Sequence, residues 1–343
     1  MSTLEELSLL GLGEAAVSRS SVAQRTQSVR RTVIEHPEFT RAIREIARLH
    51  ERWIVSGVSG ALLIVGQSGA GKSTVLDYYL QKFPPRREPR RTVTPVLKVL
   101  TPEAPTVKSL TEAVLVALGD PAASRGSAAV KTNRIALFLR ECRVELILFD
   151  EFHHFCDSRA TERCRVTDWL KNLINDCGKP VVLFGLPRAI SALYSNEQLR
   201  RRFSSPYYLK EFSFGTEEEQ ALFRALLKGF QERCDLEWML DLADPEVAMR
   251  FHFATNGLVD YVAKILDDLI ARRDHYSDQG VGYVHLQDAF KAQVWADAPS
   301  LLNPFNPEVR PRRLNKANEP FAIWDDPRNY TLSRRAAAIE GKQ

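Results

Sequence analysis

The sequence predicts an α/β fold: a parallel sheet with helices on both faces, then a small helical lid and an extended C-terminal tail. Three observations predict it. First, the apolar run Ala61-Leu-Leu-Ile-Val65 empties into Gly66-Gln-Ser-Gly-Ala-Gly-Lys-Ser73, and a helical pattern starts at Thr74. Second, strand patterns recur at Val93–Leu100, Val144–Phe149 and Val181–Gly185 with helical patterns between them, the alternation of a parallel sheet. Third, the texture turns helical past Gly215 and stays so to about residue 300.

Composition sets the bounds. A chain of 343 residues has room for more than one domain. With 44% hydrophobic and 26% charged residues it reads as an ordinary globular protein. No apolar run approaches the ~20 residues that span a bilayer, and the N-terminus lacks the basic-then-apolar pattern of a secretory signal. Cys142, Cys156, Cys164, Cys177 and Cys234 form no disulfide-like framework, so a reducing, cytoplasmic location is expected. Net charge is only +4, but the arginines cluster at both ends and in one internal loop, a hint of a polyanionic partner.

Residues 1–34 read as a loose basic arm, with Arg19, Arg25, Arg30 and Arg31 unopposed by nearby acids. Such an arm either touches DNA phosphates or is simply solvated. A nucleotide-binding α/β domain is expected over 35–213. It opens with a helix from Pro37 to Trp53, where Phe39, Ile43, Ile46, Ala47 and Leu49 follow a 3–4 residue period.

The loop Gly66, Gln67, Ser68, Gly69, Ala70, Gly71, Lys72, Ser73, Thr74 then has the composition of a phosphate cradle. Its glycines let backbone N–H groups converge on phosphate oxygens. Lys72 adds a cation for the β/γ-phosphates, and Ser73 offers a hydroxyl to Mg²⁺. ATP and Mg²⁺ are the ligands this pattern predicts.

Pro84-Pro-Arg-Arg-Glu-Pro-Arg-Arg91 is too rich in proline for a helix and strongly basic. Helices follow at about 106–118 and 131–142. The strand Val144-Glu-Leu-Ile-Leu-Phe149 ends in Asp150 and Glu151. Beside a phosphate loop, Asp150 is placed to hold Mg²⁺ and Glu151 to polarise the attacking water, which favours hydrolysis over transfer to an organic acceptor. The alternative is a plain solvated turn.

His153, His154, Cys156 and Cys164 are zinc-type ligands, but their spacing matches no usual finger. A helix over Thr161–Cys177 and a strand over Val181–Gly185 come next. Arg200, Arg201 and Arg202 then offer an arginine finger for a neighbouring subunit's nucleotide, with a solvated face as the plain alternative. A last strand is expected from Tyr207 to Phe212.

The lid, 214–300, starts at the capping pattern Thr216-Glu-Glu-Glu219 and continues with helices near 245–254, 257–271 and 285–296. In 301–343 prolines block regular structure, and Phe305, Phe321, Trp324 and Tyr330 are widely spaced. Isolated aromatics on an extended basic strand suit a pocket on a partner, whereas the alternative is a strap across the chain's own domain.

Taken together these residues resemble the AAA+ ATPases, and within them the TniB/TnsC transposition regulators. Phe149-Asp-Glu-Phe-His-His154 resembles that family's Asp-Glu-x-x-His extension, Leu183-Phe-Gly-Leu-Pro-Arg188 its Gly-Thr-Pro strand end, and Asn256-Gly-Leu-Val-Asp-Tyr-Val-Ala-Lys264 its lid segment. Two positions depart from the pattern: Leu186 stands where the family has a sensor threonine, and Asp260 where many AAA+ lids carry a sensor arginine.

The resemblance implies an ATPase that forms homo-oligomeric rings or filaments on double-stranded DNA. It also implies a partnership with a TniQ-like adaptor and a DDE transposase. Family DNA contacts map onto Lys98, Lys108, Lys131, Thr132 and Arg134. Competing readings are another AAA+ ATPase, origin-initiator-like or secretion-associated, and a signalling NTPase that does not act on DNA. No Asn-Lys-x-Asp guanine-reading motif appears, which disfavours a GTPase.

Overall fold

A computed structural model describes Val29 and residues 32–89, 91–194, 197–276 and 280–322. The chain divides into two compact units, Glu35–Glu211 and a second made of Phe212 onward together with the segment ending at Ile34.

The first unit is built on a five-stranded parallel sheet. Its strands are β1 (Ala61–Val65), β4 (Val96–Leu100), β5 (Leu146–Asp150), β6 (Val181–Gly185) and β7 (Tyr207–Tyr208), in the order β4-β5-β6-β1-β7. Every residue of β1, β5 and β6 is buried, as expected of strands covered on both faces. Register is fixed by Ala61 opposite Val181 and Ile147 opposite Val181, so the three central strands end level with one another. That brings the exits of β1, β5 and β6 to one carboxyl edge.

Helices α1 (Pro37–Ser56), α2 (Lys72–Gln81), α3 (Val107–Ala117), α4 (Ala128–Glu141) and α5 (Ala160–Asp176) belong to this unit, with the short α6 (Ala189–Tyr194) and α7 (Glu197–Arg200). Helix α1 starts with the His36 side chain accepting the Phe39 N–H and Pro37 in its first turn, and it stops at Gly57, whose φ of 67° few other residues tolerate.

Two expected strands are corrected. Val93–Leu100 is broken at Thr94-Pro95: β3 (Arg91–Val93) folds back antiparallel on β2 (Arg86–Glu88) as a separate ribbon, and only Val96–Leu100 joins the main sheet. The strand expected over Tyr207–Phe212 pairs only at Tyr207 and Tyr208; beyond them Leu209 N–H bonds the Val65 carbonyl at 2.7 Å.

The second unit packs α8 (Glu217–Gln231), α9 (Pro245–Thr255), α10 (Val259–Ala271) and α11 (Tyr283–Gln293) around Phe223, Leu227, Phe251, Leu266 and Phe290. Thr216 and Glu219 cap α8 reciprocally, as their spacing predicts. Gly257 has no room for a side chain, because a Cβ there would lie 2.0 Å from the Phe212 carbonyl oxygen. Val29 is buried in this core; Arg19, Arg25, Arg30 and Arg31 of the basic arm lie outside the described residues.

The extended tail is corrected from Asn303 to Ala322. Phe305 is fully buried, its ring 4.8 Å from Phe251 and 6.4 Å from Phe290. Beneath it the buried Arg250 guanidinium donates to the carbonyls of Pro304 (2.9 Å) and Asn306 (2.7 Å), so the proline-rich backbone finds its partners in a side chain rather than a ladder. Arg312 pairs with Glu319, and the Phe321 ring meets Tyr261 edge-on at 5.4 Å. This stretch is a strap on the helical unit; Trp324 and Tyr330 lie outside the described residues.

Candidate functional site

The glycine loop follows directly from β1. Gly66 N–H bonds the Gly185 carbonyl at 3.2 Å, tying the loop's start to the exit of β6, and a Cβ on Gly66 would stand 2.4 Å from the Leu209 carbonyl oxygen. Gly69 and Gly71 take φ of 81° and 93°, turning the backbone before α2 begins at Lys72. The Lys72 ammonium is buried and donates to the carbonyls of Gly66 and Gln67, both at 2.9 Å. Burial holds its pKa below the ordinary lysine value, while Glu151 and Asp150 act in the opposite sense.

At the exit of β5 Asp150 is buried, and one of its carboxylate oxygens accepts the Glu151 N–H at 2.9 Å. Burial raises the Asp150 pKa, with Lys98 working against the rise. Glu151 takes φ of 54°, a conformation a non-glycine residue adopts only where its surroundings enforce it, and it opens a short 3-10 helix over Phe152–Asp157.

Sequence reading missed two neighbours of these acids. His153, buried on that 3-10 helix, places Nδ1 3.0 Å from a Glu151 carboxylate oxygen, and burial depresses its pKa so that the neutral ring is favoured. Asp77, on α2, accepts Lys98 Nζ at 2.7 Å, and the same Nζ stands 4.0 Å from Asp150. The signal was available: a lysine inside the apolar strand Val-Leu-Lys-Val-Leu needs a partner, and Asp77 lies one helical turn beyond Ser73 on α2.

Four of the five residues onto which the resemblance maps DNA contacts are engaged within the protein. Lys98 is engaged as above. Lys131 is fully buried and ion-paired to Glu112 at 2.6 Å. The Thr132 hydroxyl donates to the Ala128 carbonyl and accepts from Trp169 Nε1. Arg134 pairs with the buried Asp120 and donates to the Arg125 carbonyl. Each also has a partner on another element or loop: Asp77 for Lys98, Glu112 for Lys131, Trp169 for Thr132 and Asp120 for Arg134. Lys108 alone of the five is exposed.

Among the arginines, Arg201 bonds Glu197 at 2.6 Å and is largely solvent-exposed, and Arg200 lies over the Tyr194 ring. Arg202 is exposed, its carbonyl accepting the Ala61 N–H at 3.0 Å. Leu186 follows β6 where a sensor was considered, and Asp260 pairs with Lys264 at 2.7 Å. Among the described residues, Glu151, His153 and His154 bring metal-capable atoms within 4.8 Å of one another, without Cys156, whose thiol contacts the Arg188 carbonyl.

The fit of these residues to a magnesium nucleotide rests on two observations: a cradle in which a Cβ on Gly66 would strike backbone, and hard oxygen donors of Ser73 and Asp150 on the elements that open at that edge. A buried lysine after a glycine turn, two acids at the end of β5, one strand removed from β1, and the strand order β4-β5-β6-β1-β7 define the AAA+ class of P-loop NTPase folds.

Solved structures share the fold. The Aeropyrum pernix ORC2 protein in its ADPNP–ADP complexes matches with a TM-score of 0.56 at 14% identity, covering 75% of this chain and 68% of that one. CDC6P from Pyrobaculum aerophilum gives 0.56 at 14% identity, over 78% and 72%. The Aeropyrum pernix ORC1 protein in complex with DNA gives 0.56 at 15%, over 76% and 66%. No curated protein matches. Residues 25–214 match the family described as Bacterial TniB protein, and the chain belongs to it.

No helix among the described residues is long and apolar enough to cross a membrane.

Proposed function

We propose that this protein is an ATP-dependent regulator of DNA transposition. It binds ATP with Mg²⁺, hydrolyses it, oligomerises as a ring or filament on duplex DNA, and links a TniQ-like target-selection adaptor to a DDE transposase. Membership of the TniB family supports the transposition role. The nucleotide role rests on one observation: the buried Lys72 after the glycine turn and the acids Asp150 and Glu151 at the end of β5 open at the same carboxyl edge of the sheet.

Each residue has its part. The backbone of Gly66–Thr74 and Lys72 bind the phosphates, and Ser73 and Asp150 hold the metal, which supplies charge neutralisation of the phosphoryl oxygens. Glu151 takes the proton of the attacking water. Arg201 or Arg202 serves a neighbouring subunit's site.

The test compares variants in ATP turnover and in assembly on duplex DNA seen by electron microscopy. Lys72→Ala is expected to lose both. Glu151→Gln is expected to keep assembly and to lose turnover by 100-fold or more, on the order of 3 kcal/mol of barrier. The Arg201→Ala/Arg202→Ala double variant is expected to bind ATP normally but turn it over slowly. Normal hydrolysis by Glu151→Gln would overturn the assignment of the base.

A further inference from the structure

We infer that the amino end of the sheet, opposite the glycine loop, is a surface for the phosphate backbone of duplex DNA, centred on the β2–β3 ribbon and the turn after α4. The inference rests on the DNA-binding part of the proposed function and moves the contact away from the residues that the sequence pattern nominated.

Register sorts the ribbon's side chains. Arg86 lies opposite Val93, Arg87 opposite Thr92 and Glu88 opposite Arg91. Opposed residues share a face and neighbours alternate, so Arg86, Glu88, Arg91 and Val93 share one side, and Arg87 and Thr92 the other. Val93 is buried, which turns its side toward the protein and leaves Arg87 and Thr92 exposed to water.

On the inner side one carboxylate serves several cations. Glu88 accepts from Arg91 at 2.8 Å and stands 3.6 Å from Arg143, with Arg86 also acting on it. The ribbon is thereby linked to the turn after α4, where the Thr94 N–H also bonds the Cys142 carbonyl at 2.8 Å. That turn continues into an open cavity of about 460 Å³ lined by Arg140, Arg143, Lys179 and Trp53. The Lys179 ammonium lies 4.2 Å above the Trp53 ring. Glu145, in the same wall, already accepts from His50 at 3.1 Å, which leaves Asp176 as the cavity's other carboxylate.

Three features of this end select a polyphosphate over a single small anion. Its cations come from separate elements, β2, the end of α4, the α4–β5 turn and the approach to β6, so they are spread along a surface rather than gathered at a point. All but Lys179 are arginines, whose planar fork takes two phosphate oxygens at once. Arg86, Arg87, Arg140 and Arg143 are exposed, so they attract over a distance without a buried charge to stabilise.

The full chain with Arg86→Glu, Arg87→Glu and Arg140→Glu tests this, with Lys291→Glu alongside. Binding to a random-sequence duplex is followed by fluorescence anisotropy at several salt concentrations, and unfolding midpoints confirm that each variant is folded. The triple variant is expected to bind at least tenfold more weakly, with a log-affinity versus log-salt slope shallower by about two to three, since each phosphate contact contributes ~0.9. Lys291→Glu, an exposed lysine on α11, is expected to stay within about twofold of the unsubstituted protein. A folded triple variant with unchanged affinity and slope overturns this surface while leaving DNA binding standing. If the unsubstituted protein ignores duplex DNA but binds an acidic polypeptide through these arginines, the DNA reading itself fails.

Discussion

The α/β unit carries charge at both ends of its sheet and handles it in opposite ways. At the carboxyl edge Lys72 and Asp150 are buried, and each is held by atoms of the loop or strand that carries it. At the amino edge Arg86, Arg87, Arg140 and Arg143 stand in water, and Glu88 is shared among several of them. Buried charges have fixed geometry and respond to substitution and pH. Exposed ones are screened over about 10 Å at 0.1 M salt and act by number rather than position. One end is thus suited to chemistry and the other to attraction.

The sharpest break in that contrast comes from backbone. Gly66→Ala places a methyl 2.4 Å from the Leu209 carbonyl oxygen, with no flexible side chain to yield. The loop and the β7 segment cannot both keep their positions. The variant is expected to lose about 3 kcal/mol of stability or more, along with ATP binding, as read by thermal unfolding and nucleotide titration. A folded variant that binds ATP normally would show the loop to be freer than its contacts indicate.

Next in size is a pH effect confined to a half-buried group. His36 caps α1 through the Phe39 N–H, and burial lowers its pKa to about 4. The unfolded chain takes up this proton near pH 6.5 and the folded chain only near 4, so stability is full above 6.5 and declines as pH falls between the two values. The loss should reach roughly 2 kcal/mol at pH 5. His36→Asn replaces the capping Nδ1 with an oxygen that does not titrate, and should flatten this part of the stability profile between pH 7 and 5. An identical profile in the variant would place the proton uptake elsewhere.

The smallest effect expected is at His153. Its Nδ1 stands 3.0 Å from one oxygen of Glu151 and bounds where that carboxylate can sit, so His153→Ala should lower kcat about tenfold, about 1.4 kcal/mol, with little change in KM. In a Glu151→Gln background the same change should do nothing further, since the histidine acts through that carboxylate. Additive losses in the double variant would make His153 merely structural.

What could be read from sequence follows the range of the forces involved. Gly66–Thr74 was legible because the turn needs glycines at fixed spacing, and Asp150-Glu151 because an apolar strand rarely ends in two acids by accident. The match to the family over residues 25–214 agrees with the family resemblance that these motifs help to carry. Lys131 was illegible because Glu112, which takes its charge, lies on the preceding helix, and nothing local distinguishes a paired lysine from a free one. Phe305 was illegible for a related reason: prolines and asparagines mark an extended chain, but not that Arg250, more than fifty residues earlier, holds its carbonyls. The break at Pro95 was readable in principle, since proline has no N–H for a ladder.

The hydrogen bonds at the start of β1 bear on how many molecules a working unit contains. The Arg202 carbonyl accepts the Ala61 N–H, and the Ser204 N–H donates to the Ala61 carbonyl, so the arginine segment is stitched to the strand's first residue while the glycine loop leaves from its last. Five residues of strand span about 16 Å, further than an arginine side chain extends. A single molecule is therefore unable to bring these guanidiniums to its own phosphates. If they act in hydrolysis, the smallest competent species is a pair, and specific turnover must fall toward zero on dilution.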